Sequence, residues 1–245
     1  MPAPSANAPS PFMNKLPPAA ESAPPESLGA ATAQVTPPLR FGVVILAAGA
    51  STRMGQPKQL LELGGATLLG RAVAAALASP AWPVVVVLGA HAEKIRPTLA
   101  LHPVIITENP AWSEGLASSI RAGVATLEQF SRDLGAAVIT LCDQPAFSTE
   151  TLAQLVAAQR DTGRSIAATR YAHRHGAPAL FLRSHFPTLT QLTGEVGARE
   201  LLNGDPATIA SVDLPALTQD IDTPEDYAAA LKNSPSAESS FKKTE

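Results

Sequence analysis

The sequence predicts an α/β fold: one three-layer domain in which helices cover both faces of a mostly parallel central sheet. Two observations carry this. From Phe41 onward, short β-branched apolar runs alternate with Ala/Leu-rich amphipathic stretches, and such βαβα alternation buries both faces of a parallel sheet. Ahead of it, residues 1–38 are punctuated by Pro2, Pro4, Pro9, Pro11, Pro17, Pro18, Pro24, Pro25, Pro37 and Pro38. Proline fixes φ and removes an amide donor, so this stretch supports neither helix nor ladder. Its small apolar mass does not offset the entropy of ordering. Residues 1–38 therefore read as a disordered tail and residues 39–232 as the domain. Residues 233–245, rich in Ser and Lys, read as a flexible end.

The elements follow in order. Residues 41–46 read as a buried strand, and 67–79 as a helix stopped by Pro80. Residues 84–88 form the second strand, 92–96 a short helical stretch, and 104–107 the third strand. Residues 117–130 make a helix and 136–141 the fourth strand. A helix over 149–160 leads to a strand near 165–169. The order then loosens into a strand at 179–182, helical pieces through Leu202, a strand at 208–212 and a last helix after Pro224. The alternation is Rossmann-like, and in open sheets of this kind ligands gather at the carboxyl ends of the strands.

Composition narrows the class. No unbroken apolar run follows a basic start within residues 1–38, so no secretory signal is read there, and no membrane-length apolar segment follows. The single cysteine, Cys142, excludes an intramolecular disulfide framework, which makes the cytoplasm the expected compartment. A net charge of −3 gives no bulk attraction for nucleic acid or an anionic membrane. Any phosphate must be held locally.

Four segments after strands, or near the carboxyl terminus, suggest chemistry. The first, Ala47, Ala48, Gly49, Ala50, Ser51, Thr52, Arg53, Met54, Gly55, Gln56, Pro57 and Lys58, combines small residues with two cations. Successive amides there could form an anion nest, although neither the Walker nor the dinucleotide fingerprint fits. The second, from Glu108 through Trp112, Glu114 and Gly115 to Ser118 and Ser119, enters a helix through residues able to grip a ligand, or simply to cap the helix. The third is Asp143-Gln144-Pro145, where the carboxylate could hold Mg²⁺ or cap a loop. The fourth runs from Asp220 to Tyr227. Thr223, Pro224 and Asp226 make a helix start in their own right, which leaves Asp222 free to join Asp143 on a metal. Arg170, His173, Arg174 and His175 read as a solvated or substrate-facing basic loop.

Together these segments resemble the molybdenum cofactor nucleotidyltransferase family, most closely its cytidylyltransferase branch. The run Leu46-Ala47-Ala48-Gly49-Ala50-Ser51-Thr52-Arg53-Met54-Gly55-Gln56-Pro57-Lys58 is similar to that family's opening pattern, and Ala47-Ala48-Gly49 differs from the Ala-Gly-Gly usual in the guanylyl branch. Asn109-Pro110, Trp112, Glu114-Gly115, Ser118-Ser119, Asp143-Gln144-Pro145, Gly176 with Pro178, and 194–199 carry the likeness along residues 41–231.

The resemblance implies roles. Ala47, Ala48, Gly49, Ser51, Arg53 and Lys58 would bind the triphosphate of CTP, with Glu114, Gly115, Ser118 and Ser119 along the nucleotide. Asp143 and Asp222 would hold Mg²⁺. Gly176, Pro178, Gly197 and Arg199 would face the acceptor, molybdopterin or the molybdenum cofactor. Arg53, Lys58 and Asp143 would be the catalytic set, and a molybdoenzyme or its chaperone would receive the product. Guanylyl transfer, nucleotidyl transfer to a sugar or polyol phosphate, and non-catalytic cofactor delivery are the rival expectations.

Overall fold

The computed structural model describes residues 37–171 and 174–233. Residues 1–36 and 234–245, which hold nearly all of the two expected tails, and His173 lie outside the described residues. Among the described residues the chain forms β1 (Phe41–Ala47), β2 (Glu62–Leu63), β3 (Ala66–Thr67), α1 (Leu68–Leu77), β4 (Val84–Leu88), α2 (Ala92–Ile95), β5 (Ile105–Glu108) and α3 (Leu116–Phe130). These are followed by β6 (Ala136–Leu141), α4 (Thr149–Thr162), β7 (Ile166–Tyr171), β8 (Arg174–Leu182), α5 (Phe186–Leu189), α6 (Arg199–Leu202), β9 (Ile209–Asp213) and α7 (Pro224–Asn233).

Seven strands join in the order β5-β4-β1-β6-β8-β7-β9. All run parallel except β8, which is antiparallel to both of its neighbours, β6 and β7. The alternation along β1 sorts the two cores. Val43 and Ile45 pack toward α1 and α4, whereas Val44 and Leu46 pack toward α3 and α6. A strand covered on both faces must be apolar throughout, and β4, Val-Val-Val-Val-Leu, is buried at every position. No helix among the described residues is long and apolar enough to cross a membrane.

Two sequence expectations are corrected. The basic segment read as a loop belongs to strands: Arg170 ends in β7, while Arg174, His175, Gly176 and Pro178 lie in β8. Because β8 runs antiparallel, its first residues, not its last, stand at the carboxyl edge of β6. The hairpin of β2 and β3, turned by Gly64 and Gly65, both at positive φ, was not foreseen.

Candidate active site

The loop after β1 is shaped by one buried amide. Gln59, 1% exposed, donates from Nε2 to the carbonyls of Ala47 and Gly49, each at 2.9 Å. Its Oε1 accepts from the Ser51 hydroxyl at 3.4 Å. Ser51 sits at φ 55, a left-handed conformation unusual outside glycine, and its Oγ accepts from the Lys58 amide at 3.1 Å. The loop is thus folded back on itself, with Ala48 buried and Gly49 exposed. Gly89 permits the neighbouring loop to approach, since a Cβ there would stand 2.7 Å from Ala48 and from Trp112.

A small apolar cluster brings the end of the domain to this loop. Met54, Leu61, Leu63, Leu68 and Ile221 pack together, with Tyr227 against them. The Ile221 amide donates to the Asp143 carbonyl at 3.0 Å, and the Tyr227 hydroxyl donates to the Glu62 carbonyl at 2.6 Å. Thr223 and Asp226 cap α7 reciprocally: the Asp226 amide donates to Thr223 Oγ1 at 3.2 Å, and Asp226 Oδ2 accepts from the Thr223 amide at 2.9 Å. This fixes Asp222 immediately ahead of the cap.

Four of the expected site residues meet here. Lys58 Nζ donates to Asp143 Oδ2 and, at 2.8 Å, to Asp222 Oδ1. Arg53 Nη2 donates to Asp222 Oδ2 at 2.8 Å. Burial works against the Lys58 charge, yet Asp143 and Asp222 outweigh it and raise the ammonium above the usual lysine range. Burial likewise works against the Asp222 charge, but Lys58 and then Arg53 hold that carboxyl below its ordinary value. Both ions therefore stay charged near neutral pH. Asp143 Oδ1 is buried without a hydrogen-bond partner, a costly state for a carboxylate oxygen. Cys142 is buried, and burial followed by Asp143 pushes its thiol up, so it is a neutral packing residue.

The start of α3 is held by a residue that the sequence did not mark as part of the site. Asn109, buried, donates from Nδ2 to Ser118 Oγ at 2.8 Å and Ser119 Oγ at 3.0 Å, while its Oδ1 accepts from the Ala111 amide. Ser118 and Ser119 are themselves buried, so both hydroxyls are engaged within the protein. Glu114 is exposed and pairs with Arg121 at 2.8 Å. Gly115 takes φ 103, and a Cβ there would fall 2.7 Å from Glu195 Cα. This close approach seats the 194–198 segment on α3, and the Ala117 amide donates to the Gly194 carbonyl.

Beside these groups lies a cavity of about 290 Å³. Leu116, Ile120, Ile139, Phe181 and Val196 give it apolar walls, and Gly176, Arg174 and Arg199 also line it. Gln144 lines it next to Asp143, and its Nε2 faces the Tyr171 hydroxyl, the carbonyls of Ala177 and Leu217, and Asp220 Oδ1, at 3.1 to 3.4 Å. Several acceptors around one nitrogen fix the orientation of this amide. Gly197 packs against Leu116 just outside, and Pro178 gives its carbonyl to Thr169 Oγ1. Neither reaches the cavity wall.

A cation-bearing loop against two carboxylates, at the carboxyl edge of a sheet with an adjoining cavity, defines a phosphate-handling transferase. The chain belongs to the family described as MobA-like NTP transferase domain, which residues 43–212 match, and it is a nucleotidyltransferase. It is 33% identical over 193 residues to nicotine blue oxidoreductase of Paenarthrobacter nicotinovorans, covering 74% of this chain and 92% of that one. It is 34% identical over 200 residues to the purine catabolism protein PucB of Bacillus subtilis, covering 75% and 92%. The solved structure of Rv0371c from Mycobacterium tuberculosis in complex with manganese matches with a TM-score of 0.61 and 27% identity. It covers 79% of this chain and 98% of that one.

Proposed function

We propose that this protein transfers a cytidylyl group from CTP to the terminal phosphate of molybdopterin, in the cytoplasm and with Mg²⁺. The observation that carries the reading is the convergence of Lys58, Asp143, Asp222 and Arg53 at the end of the small-residue loop after β1. Asp143, with its unpartnered Oδ1, and Asp222 fit a divalent cation. The manganese complex of Rv0371c supports a metal in this family. When bound, Mg²⁺ would neutralise phosphate charge and polarise the α-phosphoryl group.

The chain's own residues supply the rest. The loop amides from Ala48 to Ser51 and the Arg53 guanidinium bind the β- and γ-phosphates. An oxygen of the acceptor phosphate attacks the α-phosphorus, the bond from that phosphorus to its β-bridging oxygen breaks, and pyrophosphate leaves with the electron pair. No proton need move, because the acceptor phosphate is already anionic near neutral pH. Lys58, kept protonated by its two carboxylates, is a fixed cation and not a base. Catalysis then rests on positioning and charge neutralisation. Asn109 fixes Ser118 and Ser119, and through them the α3 start that borders the nucleotide with Glu114 and Gly115. The cavity lined by Gly176 and Arg199 takes the acceptor, with Pro178 and Gly197 supporting its wall. The relatives' names fix neither the nucleotide nor the acceptor, so the choice of CTP rests on Ala47-Ala48-Gly49 and the Glu114–Ser119 segment, which resemble the cytidylyl branch.

The test is incubation of the purified chain with each NTP, molybdenum cofactor and Mg²⁺, scoring pyrophosphate and the dinucleotide mass. CTP should give the highest kcat/KM. A higher kcat/KM with GTP would reassign the reaction to guanylyl transfer.

A further inference from the structure

We infer that the acceptor carries a second anionic group besides the phosphate that reacts, and that Arg174 and Arg199 hold it. This rests on the reading of the cavity as the acceptor site. The walls are largely apolar, yet Arg174 and Arg199, both exposed residues, line the cavity together with Asp220. Arg170, four residues earlier, is matched by Asp213, and Arg121 by Glu114. Arg174 and Arg199 form no ion pair and donate no side-chain hydrogen bond to any described residue. Two cations with no ion-pair partner among the described residues add positive potential to the cavity they line.

The two arginines are also stitched together. The His175 amide, next to Arg174, donates to Asn203 Oδ1 at 3.4 Å, and Asn203 Nδ2 donates to the Arg199 carbonyl at 2.9 Å. The His175 ring joins the same elements, contacting the Leu202 carbonyl at 3.1 Å and the Ser211 hydroxyl at 2.7 Å. A carbonyl can only accept, so Nδ1 carries a proton toward Leu202. The start of β8 and the whole of α6 are thereby held side by side, and each carries an arginine that lines the same cavity. That arrangement suits an anionic, bidentate-capable group on the acceptor, such as a carboxylate, phosphate, sulfonate or oxyanion. Lys58 and Arg53 serve a different anion, since both are already engaged around Asp143 and Asp222.

The experiment uses the full chain and two paired probes whose readout needs no turnover. 8-Anilinonaphthalene-1-sulfonate has an apolar body and one sulfonate, and N-phenyl-1-naphthylamine is its uncharged counterpart. Arg174→Ala and Arg199→Ala, with wild-type melting temperatures, should each weaken the sulfonate probe about tenfold, as loss of a charge-assisted contact does. The uncharged probe should bind wild type and variants alike, and Arg→Lys at either position should fall between. In turnover with CTP and molybdenum cofactor, both alanine variants should raise the acceptor KM more than they change the CTP KM. Equal binding of the sulfonate by wild type and the double variant overturns the inference, as does a loss confined to kcat. Failure of the cytidylyl reading shows up differently, as a higher kcat/KM with GTP or as a wild-type enzyme inert with every NTP.

Discussion

Lys58 Nζ and Asp222 Oδ1, 164 residues apart in the chain, meet in a 2.8 Å hydrogen bond. The contact is assembled by other groups than the two ions. Ile221 and Tyr227 anchor the segment from the apolar side, the Thr223–Asp226 cap fixes its exit, and Gln59 fixes the loop that delivers Lys58. Exposed ion pairs are worth little. Lys58 and Asp143, with side chains 15% and 10% exposed, are not exposed, and Asp222 is the more open partner at 33%. A buried pair is weak evidence for stability and better evidence for a role in which charge is needed.

That geometry predicts strong coupling between the two carboxylates. If both serve one cation, Asp143→Asn and Asp222→Asn remove charge from the same place, and their effects should not add. Each should lower kcat by on the order of 100-fold, the scale for losing one preorganised electrostatic group. The double variant should be little worse than the poorer single. Turnover titrated against Mg²⁺ for the four proteins checks this. Wild-type Mg²⁺ dependence in Asp222→Asn would leave Asp143 as the lone protein carboxylate on the ion.

Gln59 supplies a second prediction. Gln59→Leu keeps the volume but frees the carbonyls of Ala47 and Gly49 and the Ser51 hydroxyl. Leaving buried polar groups unpaired costs about 1–3 kcal/mol, so the midpoint of chemical denaturation should fall. The loop should also lose its shape, raising the CTP KM by about tenfold with the acceptor KM unchanged. A stability loss with both KM values intact would reduce Gln59 to a core residue.

How much of this could be read from the chain depended on whether a residue's neighbours are set by burial. The 84–88 strand is apolar throughout, and 136–141 is so except for Thr140, because both faces are covered, and their expected limits match β4 and β6. The first residues of β8 carry no such signature. Arg174, His175 and Gly176 border a cavity, so no core demands apolar side chains there, and the strand read as a loop. The Gly64-Gly65 turn signal marks the β2–β3 hairpin, but its two-residue strands are too short for any periodicity. At the site, Arg53, Lys58 and Asp143 stood out because charge after a strand is conspicuous, and Asp222 because the helix start beside it left it unexplained. Gln59 and Asn109 did not, since their importance lies in which backbone and hydroxyl groups they reach, and spacing does not reveal that. Ser118 and Ser119 showed the reverse problem: hydroxyls at a helix start suggest a ligand, and here they answer Asn109.

The last prediction separates backbone strain from site geometry, using two glycines. Gly115 lies at φ 103 and ψ −176, a region open essentially to glycine alone, so Gly115→Ala should cost about 1–3 kcal/mol from the backbone. Its new Cβ would also stand 2.7 Å from Glu195 Cα, and backbone cannot swing aside as a side-chain tip can. The 194–198 segment must then lift off α3, taking Val196 from the cavity wall and moving Arg199 with it. Gly163, the C-cap of α4, provides the control. It lies at φ 65, and a methyl added there would find nothing within 4 Å. Gly163→Ala therefore costs about 1–2 kcal/mol for the left-handed conformation and disturbs no neighbour. Both variants should melt earlier, Gly115→Ala by more. Only Gly115→Ala should raise the acceptor KM, because only there does the added carbon push on a segment that lines the cavity. Steady-state kinetics with the acceptor varied at saturating CTP decides it, and a wild-type acceptor KM in Gly115→Ala would mean that the 194–198 segment does not shape the acceptor site.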